Sequence, residues 1–276
     1  MLDTLSPEKM EFVQDDGWLE MTPEQLRQAV YEADEDNTLS EQYATEQLRQ
    51  FNQAVSVPEN VYAFLEKYDV KTTAVNLMAA SRLMKNPSEA VRNLWEHGDS
   101  ATARALLDET LRRFSESVKN PKELAQAQET LADTAEHVMD SMIIEDRRTG
   151  SLDIRQMKLL CSQLRIASSM SRQENYIVPI ETADGVTGMK LSILRGEDKK
   201  GLVDIFLEDK KCGRVAAYFE AKENSVSAMI VTDDEQTKKL FEDNITTFES
   251  GISDGEQSVH IDVALEHDIS AKEPMA

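Results

Sequence analysis

The apolar residues of this chain change from a helical to a strand period at Asn175, and that change constrains the fold more than any other feature of the sequence. Up to Arg172 they recur every three or four positions, as Met157, Leu160 and Leu164 do, which is the spacing of one helix face. From Tyr176 they alternate: Tyr176, Val178 and Ile180, then Met189, Leu191 and Ile193, show the two-residue period of half-buried strands. A chain written this way is expected to be α+β, with an N-terminal all-helical array followed by a small sheet-plus-helix C-terminal domain. The expected divisions are an N-terminal segment at 1–21, a helical domain at 22–173, an α+β domain at 174–267 and a disordered tail at 268–276. At about 94 residues the α+β part exceeds the size at which an isolated core usually fails, so it is expected to fold alone.

Local punctuation supports the helical half. Thr22-Pro23-Glu24-Gln25 offers an N-cap, a proline at the first helical position and a Gln three residues after the cap, with Leu26, Val30 and Tyr31 as its apolar face. Ser40 caps a second helix through Tyr43, Leu48 and Phe51, and Pro58 opens a third through Val61, Phe64, Leu65 and Tyr68. A helix over 72–85 ends at Asn86-Pro87-Ser88, and the next, through Val91, Leu94 and Trp95, ends at His97-Gly98-Asp99. Leu106, Leu107, Leu111 and Phe114 mark another, closed by Asn120-Pro121; a long helix over 121–146 and a last one over 151–172 follow. No repeat of about 30 to 45 residues recurs, so the array is irregular.

Beyond Asn175 the strands Leu202–Leu207, Val215–Phe219 and Val226–Val231 follow the first two. Asp233-Asp234-Glu235 then opens one helix running to Ser250 and ended by Gly251, with Leu240, Phe241, Ile245 and Phe248 as its stripe. That stripe is expected to pack on the strand face bearing Val215, Ala217 and Phe219. Val259, Ile261, Val263 and Leu265 form the final strand.

Charge narrows the partners. With 40% hydrophobic and 30% charged residues the chain has the composition of a folded protein, and its net charge of −22 repels phosphate backbones. Nucleic acid and membrane insertion are therefore not expected, and a protein partner, favoured by a basic surface, is. No run approaches the roughly 20 apolar residues of a membrane helix, and MLDTLSPEKMEF lacks a positive region followed by an apolar stretch, so a cytoplasmic protein is expected. Cys161 and Cys212 sit far apart inside apolar patterns and read as buried free thiols.

The chemistry of a catalyst is missing. No glycine-rich phosphate loop, H-E-x-x-H, G-x-S-x-G or C-x-x-C motif occurs, and His97, His137, His260 and His267 are scattered. The acidic run at 32–36 lacks the sixth-position Gly and terminal Glu of a calcium loop, and His260 with Asp262 reads as a solvated strand face. No enzyme, no cofactor, no catalytic residue and no metal ligand is expected.

The stretch LVDIFLEDKKCGRVAAYFEAKENSVSAMIVTDDEQTKKLFEDNITTFESG orders strand, turn with a glycine at Gly213, strand, short polar turn, strand, acidic stretch and amphipathic helix. SGISDGEQSVHIDVAL adds a glycine-bearing turn and an alternating strand. From Gly201 to Leu265 the chain thereby resembles the C-terminal domain of the flagellar hook-length control protein. It differs in Cys212, where that family has Leu, in the small Ala217, and in its helical N-terminal half, where that family is extended. The resemblance implies a protein bound to the flagellar type III export gate, itself a candidate for export, with Val215, Ala217 and Phe248 at the apolar positions on which binding depends. Two functions follow: a non-catalytic regulator related to hook-length control and type III export, or a helical scaffold or chaperone-like adaptor whose C-terminal part docks or dimerises it. Neither fixes an oligomeric state.

Overall fold

The computed structural model describes residues 17–22, 24–25, 56–97, 101–117, 120–146, 154–183, 185–197, 200–252 and 257–270. The expected helix at Ser40, the apolar face Leu26, Val30 and Tyr31 and the acidic run at 32–36 lie outside them. Packing gathers the chain into two compact units, one within Met1–Lys85 and Ala132–Ser169, the other within Asn86–Leu131 and Met170–Ala276. Grouping thus follows packing and not period, since helical residues 86–131 belong with the strands.

In the first unit, Thr22 and Gln25 cap each other: Thr22 N–H donates to Gln25 Oε1 at 2.9 Å and Gln25 N–H to Thr22 Oγ1 at 3.4 Å, the reciprocal arrangement their spacing predicts. Helix α1 (Glu59–Lys67) follows Pro58 and buries Val61 and Leu65, while Phe64 meets Tyr68 edge-on with ring centres 5.0 Å apart. Helix α2 (Ala74–Lys85) packs on α1 and buries Val75, Leu77 and Leu83. This unit also takes the C-terminal part of a long helix, here numbered α5 (Pro121–Asp146), and most of α6 (Ile154–Ser171). Arg165 on α6 grips both carboxylate oxygens of Glu136 at 2.6 and 2.7 Å. Ser162 donates to Asn76 Oδ1 at 2.7 Å.

In the second unit, α3 (Pro87–His97) and α5 each begin with proline at the first helical position, where no N–H is missed. Asn86 and Asn120 cap them, their Oδ1 atoms accepting the N–H of Ser88 and Lys122, both at 3.1 Å. Helix α4 (Ala101–Ser117) lies between them in sequence and packs against β1. The sheet has six strands in sequence order: β1 (Asn175–Thr182), β2 (Gly185–Arg195), β3 (Gly201–Asp209), β4 (Gly213–Lys222), β5 (Ser225–Thr232) and β6 (Ser258–Leu265). The first five form an antiparallel meander, and β6 joins β5 in parallel. Parallel neighbours require a crossover, which α7 (Glu235–Asp243) and α8 (Ile245–Ile252) supply.

That crossover corrects the single helix expected over 233–250. Asn244 leaves helical geometry at φ −113° and ψ 10°, and its Nδ2 donates to Leu240 O at 2.8 Å, so the helix ends there and a second begins at Ile245. Gly251 lies within α8 and does not end it. Phe241 and Ile245 pack on the cluster of Val215, Ala217, Ala228, Ile230 and Ile261, whereas Leu240 and Phe248 stay 55% and 40% exposed. The break turns the expected stripe, so only part of it meets the sheet. Residues 268–270, expected in a disordered tail, belong to a short helix, α9 (Glu266–Ser270).

At the other end, α3 seats on β1 and β2 because Gly188 leaves room: a Cβ there would come within 3.1 Å of Ser88 Cα, Val91 Cγ2 and Ile177 Cγ2. The β2–β3 ladder ends at Met189 with Leu207, and α3 side chains take over. Ser88 Oγ accepts Glu208 N–H at 3.4 Å and Arg92 Nη2 donates to Glu208 O at 3.0 Å.

Candidate functional site: an open sheet face

Successive side chains of a strand point to opposite faces. Along β4–β6 one set faces α7 and α8 and forms the apolar cluster, so the other set points away from those helices. The registers lay this second set out in rows. Leu194 lies opposite Leu202, which lies opposite Glu220; Asp204 lies opposite Tyr218, which lies opposite Met229, itself beside Asp262. Phe206 and Val231 belong to a third row through Ala216.

Among these, Leu194, Leu202, Tyr218 and Met229 are 58%, 46%, 50% and 36% exposed. These large apolar groups share one face with the carboxylates of Asp204, Glu220 and Asp262. Lys222 Nζ is held by Glu220 at 3.0 Å, and His260 Nε2 lies 3.4 Å from Asp262 Oδ2 at the same surface.

Protein-family models, curated proteins and solved structures offer no match to this chain.

The positions singled out by the resemblance separate. Val215 and Ala217 are buried within the sheet–helix core, and Phe248 sits at the surface of α8, its ring centre 5.6 Å from that of Phe241. The face of Leu194, Leu202, Tyr218 and Met229 was not anticipated. Its signal was present in LVDIFL, whose apolar residues occupy both parities and so mark a strand apolar on both faces.

A concavity of about 440 Å³ opens where α3, α4 and the β1–β2 turn meet, lined by Arg92, Trp95, Arg104, Asp108, Glu181 and Asp209 among others. Its charges are mixed. Burial would raise the Asp209 carboxyl, but the backbone N–H groups of Lys211 and Cys212, with Thr182 and Arg92, hold it below its ordinary value. The Trp95 indole N–H is buried without a partner among the described residues. No group of three or more His, Cys, Asp or Glu able to hold a metal ion occurs among the described residues.

Burial pushes the Cys161 thiol up to about 12 and raises Cys212, so neither is a thiolate at neutral pH. Cys161 is buried beside Met139, with sulfurs 3.8 Å apart; Cys212 is half-buried against the β4–β6 core, less enclosed than its sequence context suggested. No helix among the described residues is long and apolar enough to cross a membrane.

Proposed function

We propose that this chain is a non-catalytic protein-binding protein, and that the open face of β3–β5, with the Leu194 end of β2, takes the partner. The observation that carries this reading is the exposure of Leu194, Leu202, Tyr218 and Met229 on one sheet face. With a net charge of −22, the partner that fits carries apolar groups bordered by Lys and Arg. Tyr218 is the best anchor, because an aromatic ring with a polar tip gives large contact area at little cost in conformational freedom.

Within that class, the reading extends to a cytoplasmic regulator of flagellar type III export related to hook-length control. It is supported by the order β3, β4, β5, helix pair, β6 over residues 201–265, which is the order on which the resemblance was drawn. The buried Val215 and Ala217 then act by shaping the sheet, and contact falls to Tyr218 and its neighbours.

The test is binding of the full chain to the purified cytoplasmic domain of a flagellar export gate, by calorimetry. Wild-type protein is expected to bind, and the double variant Leu202→Asp, Tyr218→Ala to bind at least about tenfold more weakly. Absence of wild-type binding would sink the export reading. Binding that the double variant leaves intact would remove the sheet face from it.

A further inference from the structure

The two edges of the sheet are finished differently. The outer edge of β1 is closed by Gln128 and by Pro179, which has no N–H to offer. The outer edge of β6 is bare: no hydrogen bond from any described residue reaches it. Ser258 N–H donates to Asn224 O at 3.1 Å, so Ser258, His260, Asp262 and Ala264 direct their backbone groups inward to β5. The N–H and C=O groups of Val259, Ile261 and Val263 therefore point outward. Such an edge is a template for another strand.

We propose that β6 pairs antiparallel with β6 of a second copy of this chain, about a twofold axis through Ile261. In that register the outward groups meet as hydrogen-bonded pairs, Ile261 with its own counterpart and Val259 with Val263, for about six backbone hydrogen bonds. On the open face the same register sets His260 of each copy directly across from Asp262 of the other, a complementary pair formed twice. Shifting the register by two residues one way sets Asp262 against Asp262, and by two the other way His260 against His260. The strand is thus self-complementary at one register and mismatched at its neighbours.

A second observation points to the same partner. A twofold axis normal to the sheet leaves the helices of both copies on one side. Helix α8 rests on β6, and it leaves Phe248 and Ile252 40% and 37% exposed. Pairing of the edges brings the two α8 helices together, where those side chains lose water. This association leaves the open face of β3–β5 free and stands whether or not that face binds an export gate.

Sedimentation equilibrium of the full chain decides the matter. Wild type is expected to be a dimer at about 0.1 mM. His260→Asp sets carboxylates against carboxylates at two places and should weaken the dimer about tenfold or more. Both side chains are well exposed, at 74% and 59%, so the fold should survive, as circular dichroism would show. Exchanging the two residues, His260→Asp with Asp262→His, restores both pairs and should restore the dimer. A monomeric wild type overturns the proposal, as does a dimer indifferent to His260→Asp or a loss that the exchange fails to restore.

Discussion

The side-chain oxygen of Gln128 accepts the backbone N–H of Ile177 at 3.0 Å, so a residue of helix α5 closes the outer edge of strand β1 from 49 positions away. Ile193 N–H donates to Glu174 O, which turns Tyr176 and Val178 toward β2 and leaves Ile177 and Pro179 facing outward. Proline needs no partner there, and Gln128 serves the buried N–H of Ile177. Gln128→Ala should therefore orphan a fully buried donor and cost about 1–3 kcal/mol, read from the denaturant midpoint. An unchanged midpoint would mean that water replaces the side chain.

Residues 174–267 lose more than Gln128 when cut from the chain. Tyr176, Ile177 and Val178 are all at most 2% exposed, and Tyr176 Oη also donates to Pro121 O at 3.2 Å. Exposing such side chains costs about 1.5–3 kcal/mol each. In the isolated fragment, amides of β1 and β2 should exchange freely while those of β4 and β5, which share a core with α7 and α8, remain protected. Protection of β1 equal to that in the full chain would show that the helices of 86–131 add nothing to it.

Phe241 and Phe248 touch but do not share a role. Phe241 packs on the core of β4–β6, whereas Phe248 is 40% exposed. Phe241→Ala should cost about 2 kcal/mol or more, and Phe248→Ala about 1 kcal/mol or less in monomeric protein, by chemical denaturation. Equal costs would mean that the α7–α8 pair unfolds as one body.

Acid should loosen the grip of Arg165 on Glu136. The hydrogen bonds from Arg165 hold the carboxyl below its ordinary value, with burial opposing them. The unfolded chain then binds more protons in the window between the two values, so the stabilisation is complete above about pH 4.3 and is lost as pH falls through the lowered value. Both side chains are 42% exposed, so the contribution is no more than about 1 kcal/mol. Glu136→Gln should flatten the acid limb of the stability–pH profile, measured by thermal unfolding. A limb as steep as that of wild type would show the pair to be energetically silent.

The sequence by itself determined what local chemistry controls. The period change at Asn175 marks the first residue of β1, and Asn86-Pro87 and Asn120-Pro121 mark helix starts, because caps and prolines act within one turn of themselves. The side of β4 that meets the crossover helices was legible too, since Val215, Ala217 and Phe219 recur at every second position of the strand. Tertiary structure decided what depends on partners distant in sequence. Apolar spacing alone could not show that the helix after β5 breaks at Asn244, because Leu240, Phe241, Ile245 and Phe248 fit one stripe until the sheet selects two of them. Nor could it show that Ser88, Arg92 and Gln128 finish strands 49 to 120 residues away, because a polar side chain on a helix looks the same whether water or a strand satisfies it. The open face and the bare edge of β6 arise in the same way: among the described residues strand order leaves them uncovered, and strand order is set by packing.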